Sequence, residues 1–153
     1  MAFYRFKREQ LIVTTLDVLW DFISSPENLK KITPDSMGFN ITSESLPEKM
    51  YAGMIISYRV KPFPGIATDW VSEITHIKAK QYFVDEQRIG PFAMWHHEHI
   101  LQEVEGGVKM IDIVSYAPPF GFLGRIANSL IIRKQLNKIF NHRVKAIEQI
   151  FHP

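Results

Sequence analysis

The sequence predicts an α+β fold: a curved, seven-stranded antiparallel sheet wrapped around one long C-terminal helix, with two short helices after strand one. Three observations lead there. The segments run strand, helix, helix, six strands, helix. The last three separators between strands are hairpin-length, which makes those neighbours antiparallel. Residues 120–151 keep a helical apolar period, and one long amphipathic helix can cover the concave face of a curved sheet.

Residues 3–13 read as the first strand. Thr14-Thr15 then caps a short helix whose Leu16, Leu19, Trp20 and Ile23 share one face. Ser25-Pro26 starts a second, with Ser25 as cap and Pro26 in the first helical position. Thr33-Pro34 ends it, because the residue before a proline is pushed out of the helical region. Six extended segments follow at 36–44, 54–61, 68–78, 81–89, 92–103 and 108–116. Gly53, Pro62-Phe63-Pro64-Gly65, Ala79-Lys80, Gly90-Pro91 and Gly106-Gly107 separate them. In the final helix, Ile132, Leu136, Ile139, Phe140, Val144, Ile147, Ile150 and Phe151 form a stripe about 140° wide. Leu123, Ile126, Ala127 and Leu130 centre about 100° away from it. The two halves therefore bury different directions, or the first half is kinked or covers something different.

Composition narrows the function classes. A chain of 153 residues suits one domain, 1–153. Apolar content of 46% and charged content of 22% exclude an intrinsically disordered chain. A net charge of +2, from 18 basic and 16 acidic residues, gives no reason to expect a nucleic-acid partner. The absence of cysteine removes disulfides, thiolate nucleophiles and zinc-thiolate sites, and suits a cytoplasmic location. The apolar runs Met54-Ile55-Ile56 and Leu130-Ile131-Ile132 are far below the ~20 residues of a membrane span. Met1 to Gln10 lacks the apolar core of a signal peptide. No internal repeat, Gly-rich phosphate loop, nucleophile elbow or Cys-His pair is present.

A set of local motifs accompanies this order. They are Val18-Leu19-Trp20-Asp21-Phe22, Asn28-Leu29, Ile32-Thr33-Pro34, Trp70-Val71-Ser72-Glu73-Ile74-Thr75 and Phe83-Val84-Asp85-Glu86-Gln87-Arg88. Then come Gly90-Pro91-Phe92, Trp95-His96-His97-Glu98-His99, Asp112, Tyr116, and Gln135-Leu136 with Ile139-Phe140 and Arg143. Together they resemble the START/birch-pollen-allergen superfamily, SRPBCC, with its helix-grip fold, and within it the bacterial cyclase/dehydrase-like, ligand-binding branch. The resemblance spans essentially the whole chain. It implies a cavity for a hydrophobic ligand between sheet and helix. It does not imply a reaction, because the superfamily includes lipid carriers, quinone-binding proteins, cyclases and co-chaperone domains.

Trp95-His96-His97-Glu98-His99 is the sharpest chemical feature. Alternation puts Trp95, His97 and His99 on one strand face, and His96 with Glu98 on the other. Imidazoles at i and i+2 can converge on a metal, but the third ligand would have to come from another strand, and no metal is expected. The histidines read as hydrogen-bonded cavity or surface residues, or as acid/base groups. A turn centred on Ala79 would set Glu73 opposite Asp85, together with Phe83 and Gln87. That arrangement would be either a carboxylate pair with one raised pKa or a solvated face. The opposite face would carry Trp70, Ile74, Tyr82 and Val84. Arg143 falls inside the apolar stripe. It either snorkels to water or meets a ligand, Asp85, Asp112 or Glu73. The loops 61–65 and 116–124 pair aromatics with Gly and Pro, as an entrance lid would, or as ordinary turns. Arg125, Arg133, Lys134, Lys138 and Lys145 form no clean stripe and read as a solvated face or a membrane-surface contact.

The leading expectation is a binding protein for a small apolar or amphipathic molecule such as a lipid, a quinone or a polyketide-like compound. Trp70, Phe83, Trp95, Tyr116 and Phe140 would wall the cavity, and His97, His99, Asp112 and Arg143 would orient the polar end. No cofactor is expected. The alternative is a cyclase or dehydratase with His97 or His99 as base and Asp85 or Glu73 as acid. A protein-interaction module, recognisable by an exposed apolar patch, is the third reading. Neither ligand identity nor oligomeric state is specified by the residues.

Overall fold

The computed structural model describes residues 3–152. Met1, Ala2 and Pro153, the ends of the expected domain, lie outside the described residues. The order is β1 (Tyr4–Ile12), α1 (Leu16–Ile23), 3-10 turns at Pro26–Ile32 and Asp35–Met37, then β2 (Asn40–Ile41) and β3 (Ile55–Phe63). Next come β4 (Ile66–Lys78), β5 (Tyr82–Ile89), β6 (Met94–Val104) and β7 (Gly107–Ala117). The chain closes with α2 (Gly121–Ala127), a π-helical turn (Asn128–Ile132) and α3 (Arg133–Phe151).

The seven strands form one sheet in the order β1-β7-β6-β5-β4-β3-β2, with every neighbouring pair antiparallel. The expected fold class is therefore the observed one. Thr15 caps α1 by accepting a hydrogen bond from Val18 N. The second short helix is 3-10 rather than α, with Pro26 at its start as expected. The expected strand 36–44 is reduced to Asn40–Ile41, because Pro34 opens a 3-10 turn that Gly38 closes in the left-handed region at φ 54°.

The long helix starts under strain. Phe120 sits in the left-handed region at φ 65° and ψ 32°, which costs a non-glycine residue roughly 1–2 kcal/mol. Gly124 packs onto this entry: a Cβ there would lie 2.1 Å from the Pro119 carbonyl oxygen. The π turn explains the two apolar directions of the sequence. It adds a residue to one turn, so the faces before and after it fall out of phase. Up to and within it, Gly124 and Asn128 are buried, while Leu123, Ile126 and Leu130 face outward. From its last residue on, Ile132, Leu136, Phe140 and Ile147 enter the core.

The core has two apolar clusters. One gathers Ile12, Leu19, Trp20, Ile56, Ile74, Phe83, Leu101, Met110 and Ile147. The other gathers Val60, Trp70, Phe92, Val114, Tyr116, Ile132, Leu136 and Phe140. Several elements switch cluster across a polar residue. On β7 the run is Met110, Asp112, Val114; on β4 it is Ile74, Ser72, Trp70; on α3 it is Ile147, Arg143, Phe140. A polar layer thus crosses the interior between sheet and helix.

Candidate functional site

Strand alternation delivers His97 and His99 from β6 into the interior, where both are buried. His99 pairs in register with Asp112 on β7, and His97 with Asp85 on β5. Their side chains also cross these pairings diagonally. His97 Nε2 lies 2.9 Å from Asp112 Oδ1, and His99 Nε2 lies 2.6 Å from Asp85 Oδ2. His99 Nδ1 faces Asp112 Oδ1 at 3.3 Å, and His97 Nδ1 faces Asp85 Oδ2 at 3.7 Å. Each imidazole therefore bridges both carboxylates. The two rings stack with centroids 3.7 Å apart, and Phe83 covers the outer face of His99 at 4.0 Å.

Arg143 closes the cluster from α3. Its side chain is 11% exposed, with Nη2 3.7 Å from Asp112 Oδ1 and 3.3 Å from His99 Nδ1. It does not snorkel: the guanidinium is held inside, and its Nε is buried without an acceptor. Burial pushes the Asp112 carboxyl up, but the Arg143 charge and the hydrogen bonds from His97 and His99 outweigh it and hold it well below the usual range. Burial also pushes Asp85 up. The His99 hydrogen bond, aided by the His97, His99 and Arg143 charges, overcomes this and lowers it. The histidines part company. Burial and the neighbouring His99 charge lower His97, against the pull of Asp112 and Asp85. Burial also lowers His99, but hydrogen bonds with Asp112 and Asp85 more than reverse it and raise it. Of the two imidazoles, His99 therefore has the higher proton affinity, and the cluster sets Asp85 and Asp112 against the Arg143 charge.

Asp85, His97 and His99 each bring a ligand atom within 4.8 Å of the others, so Asp85 fills the third position that the strand pattern alone could not assign. The donors still do not fit a metal centre as they stand. Where nitrogens of the two rings converge, a carboxylate oxygen of Asp85 or Asp112 already sits, and the Arg143 cation lies 3.3 Å from His99 Nδ1.

Glu73 is not part of this site. β4 carries a register shift between Ile74 and His76, so Ile74, not Glu73, pairs with Asp85. A bulge of one residue moves the following side chains to the other face. Trp70, Ser72 and Ile74 consequently face inward with Phe83 and Asp85, whereas Glu73 pairs with Arg88 outside. Tyr82 and Val84, expected beside Trp70, fall on the outer side of the sheet, and only Phe83 and Asp85 of that stretch reach the cavity.

Beside the cluster lies a cavity of about 160 Å³. Trp70, Phe83, Trp95, Phe140, Asp85, His97, His99 and Arg143 all line it. Asp112 and Tyr116 do not. Asp112 lies behind the histidines, and Tyr116 donates its hydroxyl to Asn128 Oδ1 at 2.6 Å. Tyr58 and Ser72 line the cavity but escaped the sequence reading. Ser72 Oγ accepts from Trp70 Nε1 at 3.1 Å and lies 3.3 Å from the Tyr58 hydroxyl, whose pKa burial and the Asp85 charge raise. Period-two alternation through Ile56, Tyr58, Val60 and through Trp70, Ser72, Ile74 was the available signal. Of the two expected lid loops, only the first reaches the cavity, through Pro62 and Phe63.

No family model and no curated protein sequence matches this chain. Solved structures do. A Chromobacterium violaceum protein superposes with a TM-score of 0.73 at 9% identity, covering 97% of this chain and 98% of its own. A Thermus thermophilus protein gives 0.73 at 13% identity, with 95% of each chain covered. Ara h 8.0201, a Bet v 1-like protein of the SRPBCC superfamily, gives 0.66 at 14% identity and 98% of each chain. The chain has the helix-grip fold of the SRPBCC proteins.

Proposed function

We propose that this domain binds a small, uncharged amphipathic molecule, ring-sized in its apolar part, between the sheet and α3. The observation that carries this reading is an apolar cavity with Asp85, the buried His97 and His99, and Arg143 together in its wall. Apolar walls with a few converging polar groups are the usual make-up of a small-molecule site. A dry cavity of about 150 Å³ holds a benzene ring, which sets the scale of the apolar part. The Arg143 guanidinium and the polar edge of the cluster in the wall would meet a carbonyl or hydroxyl oxygen of the ligand. A neutral polar end fits best, because the ionisable groups of the cluster already pair with one another and a further charge would be buried unpaired. Quinone-like and cyclic ketone compounds have this chemistry, and chains longer than the cavity would project past its rim.

The test is extraction and mass spectrometry of the purified protein, followed by thermal melting against a panel of small phenols, quinones and cyclic ketones. A ligand at one hundred times its Kd stabilises by about 2.7 kcal/mol. Protein that yields no apolar compound and melts unchanged with the whole panel overturns the reading.

One observation favours an enzymatic variant: two adjacent imidazoles at the cavity wall have opposite shifts in proton affinity. Paired groups pushed apart in this way can serve as base and acid. His97 would take a proton from carbon and His99 would return one to oxygen, as in a cyclisation or dehydration. Deuterium exchange at the α-carbon of a bound ketone tests this by NMR. Exchange at the solvent rate, unchanged in His97→Gln, rules it out.

A further inference from the structure

Outside the cavity, one surface differs from the rest in both charge and exposure. Residues 113–147 hold six of the eighteen basic residues, namely Arg125, Arg133, Lys134, Lys138, Arg143 and Lys145. They hold none of the sixteen acidic ones. All but Arg143 are exposed. The same stretch carries large apolar groups in solvent: Phe120 at 83% exposure, Phe122 at 66%, and Leu123 and Leu130 at 68% each. The left-handed backbone at Phe120 holds that ring outward. Arg125 lies over the Phe122 ring at 5.4 Å.

From the π turn onward these residues share a face: steps of three and four link Leu130, Lys134, Lys138, His142 and Lys145. Leu130, Ile131, Lys134, Lys138 and Lys145 line one shallow groove with Pro64. The five basic residues still form no single stripe, since Arg125 and Arg133 lie outside the groove, but the three lysines line it together. Gln135 lines both the groove and the cavity, and its Nε2 donates to the Pro62 carbonyl at 2.9 Å. The groove thus adjoins the cavity rim.

We propose that this face docks on the surface of an anionic phospholipid bilayer. The apolar half would enter the headgroup boundary and the lysines would meet the lipid phosphates, the arrangement of interfacial amphipathic helices. Among the described residues no helix is long and apolar enough to cross a membrane, so the contact is peripheral. A second copy of the chain is a poor occupant, since pairing this face with itself would set lysine against lysine. Docked this way, the cavity rim lies at the bilayer. That step alone rests on the ligand reading, and it makes the ligand one that partitions into membranes.

Co-sedimentation with vesicles tests the docking. One set is phosphatidylcholine and the other mixes it with phosphatidylglycerol, each at low and high salt. Wild type sediments with the mixed vesicles at low salt, and salt releases it. Each basic residue near an anionic surface is worth about fivefold in affinity. Lys134→Ala/Lys138→Ala/Lys145→Ala therefore loses about a hundredfold. Leu130→Ser/Ile131→Ser also loses binding, while its circular dichroism and melting match wild type. Any of three results overturns the proposal. The first is wild type left in the supernatant with both vesicle sets. The second is sedimentation of both variants like wild type. The third is a dimer, seen by light scattering without vesicles, that Leu130→Ser/Ile131→Ser dissolves. Failure of docking leaves the cavity reading intact, and failure of every ligand in the melting panel leaves the docking intact.

Discussion

Replacing Arg143 with methionine isolates the charge from the stem, because methionine keeps apolar contact with Phe140 and Ile147 while removing the guanidinium. In the native protein the Arg143 charge keeps Asp112 ionised against burial. Without it Asp112 is a buried carboxylate facing histidines only. Breaking a buried ion pair by removing one partner costs about 3–5 kcal/mol. At about 2–4 °C per kcal/mol for a chain of this size, the melting temperature falls by about 6–20 °C. The loss also depends on pH, and its sign follows from the depressed Asp112 pKa. A carboxylate lowered in the folded state stabilises above its unfolded value of 3.8 and loses that contribution as pH falls through the lower folded value. Removing Arg143 lets burial raise Asp112, so the contribution is missing at neutral pH and the two proteins converge on acidification. Urea titrations followed by tryptophan fluorescence at neutral and acid pH measure both effects. A loss below about 1 kcal/mol, the size for an exposed pair, or one equal at both pH values, refutes the buried pairing.

Four further outcomes follow from the same geometry. Arg88→Ala removes an ion pair with Glu73 in which Arg88 is half exposed, so melting shifts by about 1 kcal/mol or less and ligand stabilisation is unchanged. Val60→Phe fills the cavity and abolishes ligand stabilisation without unfolding the protein, as circular dichroism and the melting panel will show. Gly124→Ala drives a Cβ to 2.1 Å from the Pro119 carbonyl oxygen and costs about 1–3 kcal/mol by overpacking, read by denaturant titration. Equimolar zinc leaves the melting temperature unchanged, because the Arg143 cation 3.3 Å from His99 Nδ1 opposes a second cation there; a clear rise would show that the cluster rearranges into a metal centre.

The fold was legible because its signals are local and periodic. The Thr15 cap, the hairpin-length turns and the helical stripe at 132–151 each announce an element without help from elsewhere. That His97 and His99 share a face followed from alternation within one strand, but that this face is the inner one came only from the packing. Errors arose where one residue changes phase. The β4 bulge between Ile74 and His76 reverses every assignment that depended on counting from Ala79, and it takes Glu73 out of the site. The π turn at Asn128–Ile132 is a phase change of the same kind in a helix, and the separate apolar face of Leu123, Ile126 and Leu130 lies exposed. The partner of Arg143 was beyond sequence reasoning, since Asp112 lies on a different element and only tertiary packing chooses among the acids.

The polar layer between the two apolar clusters has a mechanical consequence. A wholly apolar helix–sheet contact is indifferent to small displacements, and a helix can slide along it by one turn, about 5.4 Å, with similar burial. Here such a slide would carry Arg143 out of reach of Asp112, which it now meets at 3.7 Å, and strand the carboxylate. A slip of one residue in β6 would turn both histidines to the outside. The layer therefore acts as a detent, fixing helix and sheet at one setting and holding the volume of the chamber beside it constant.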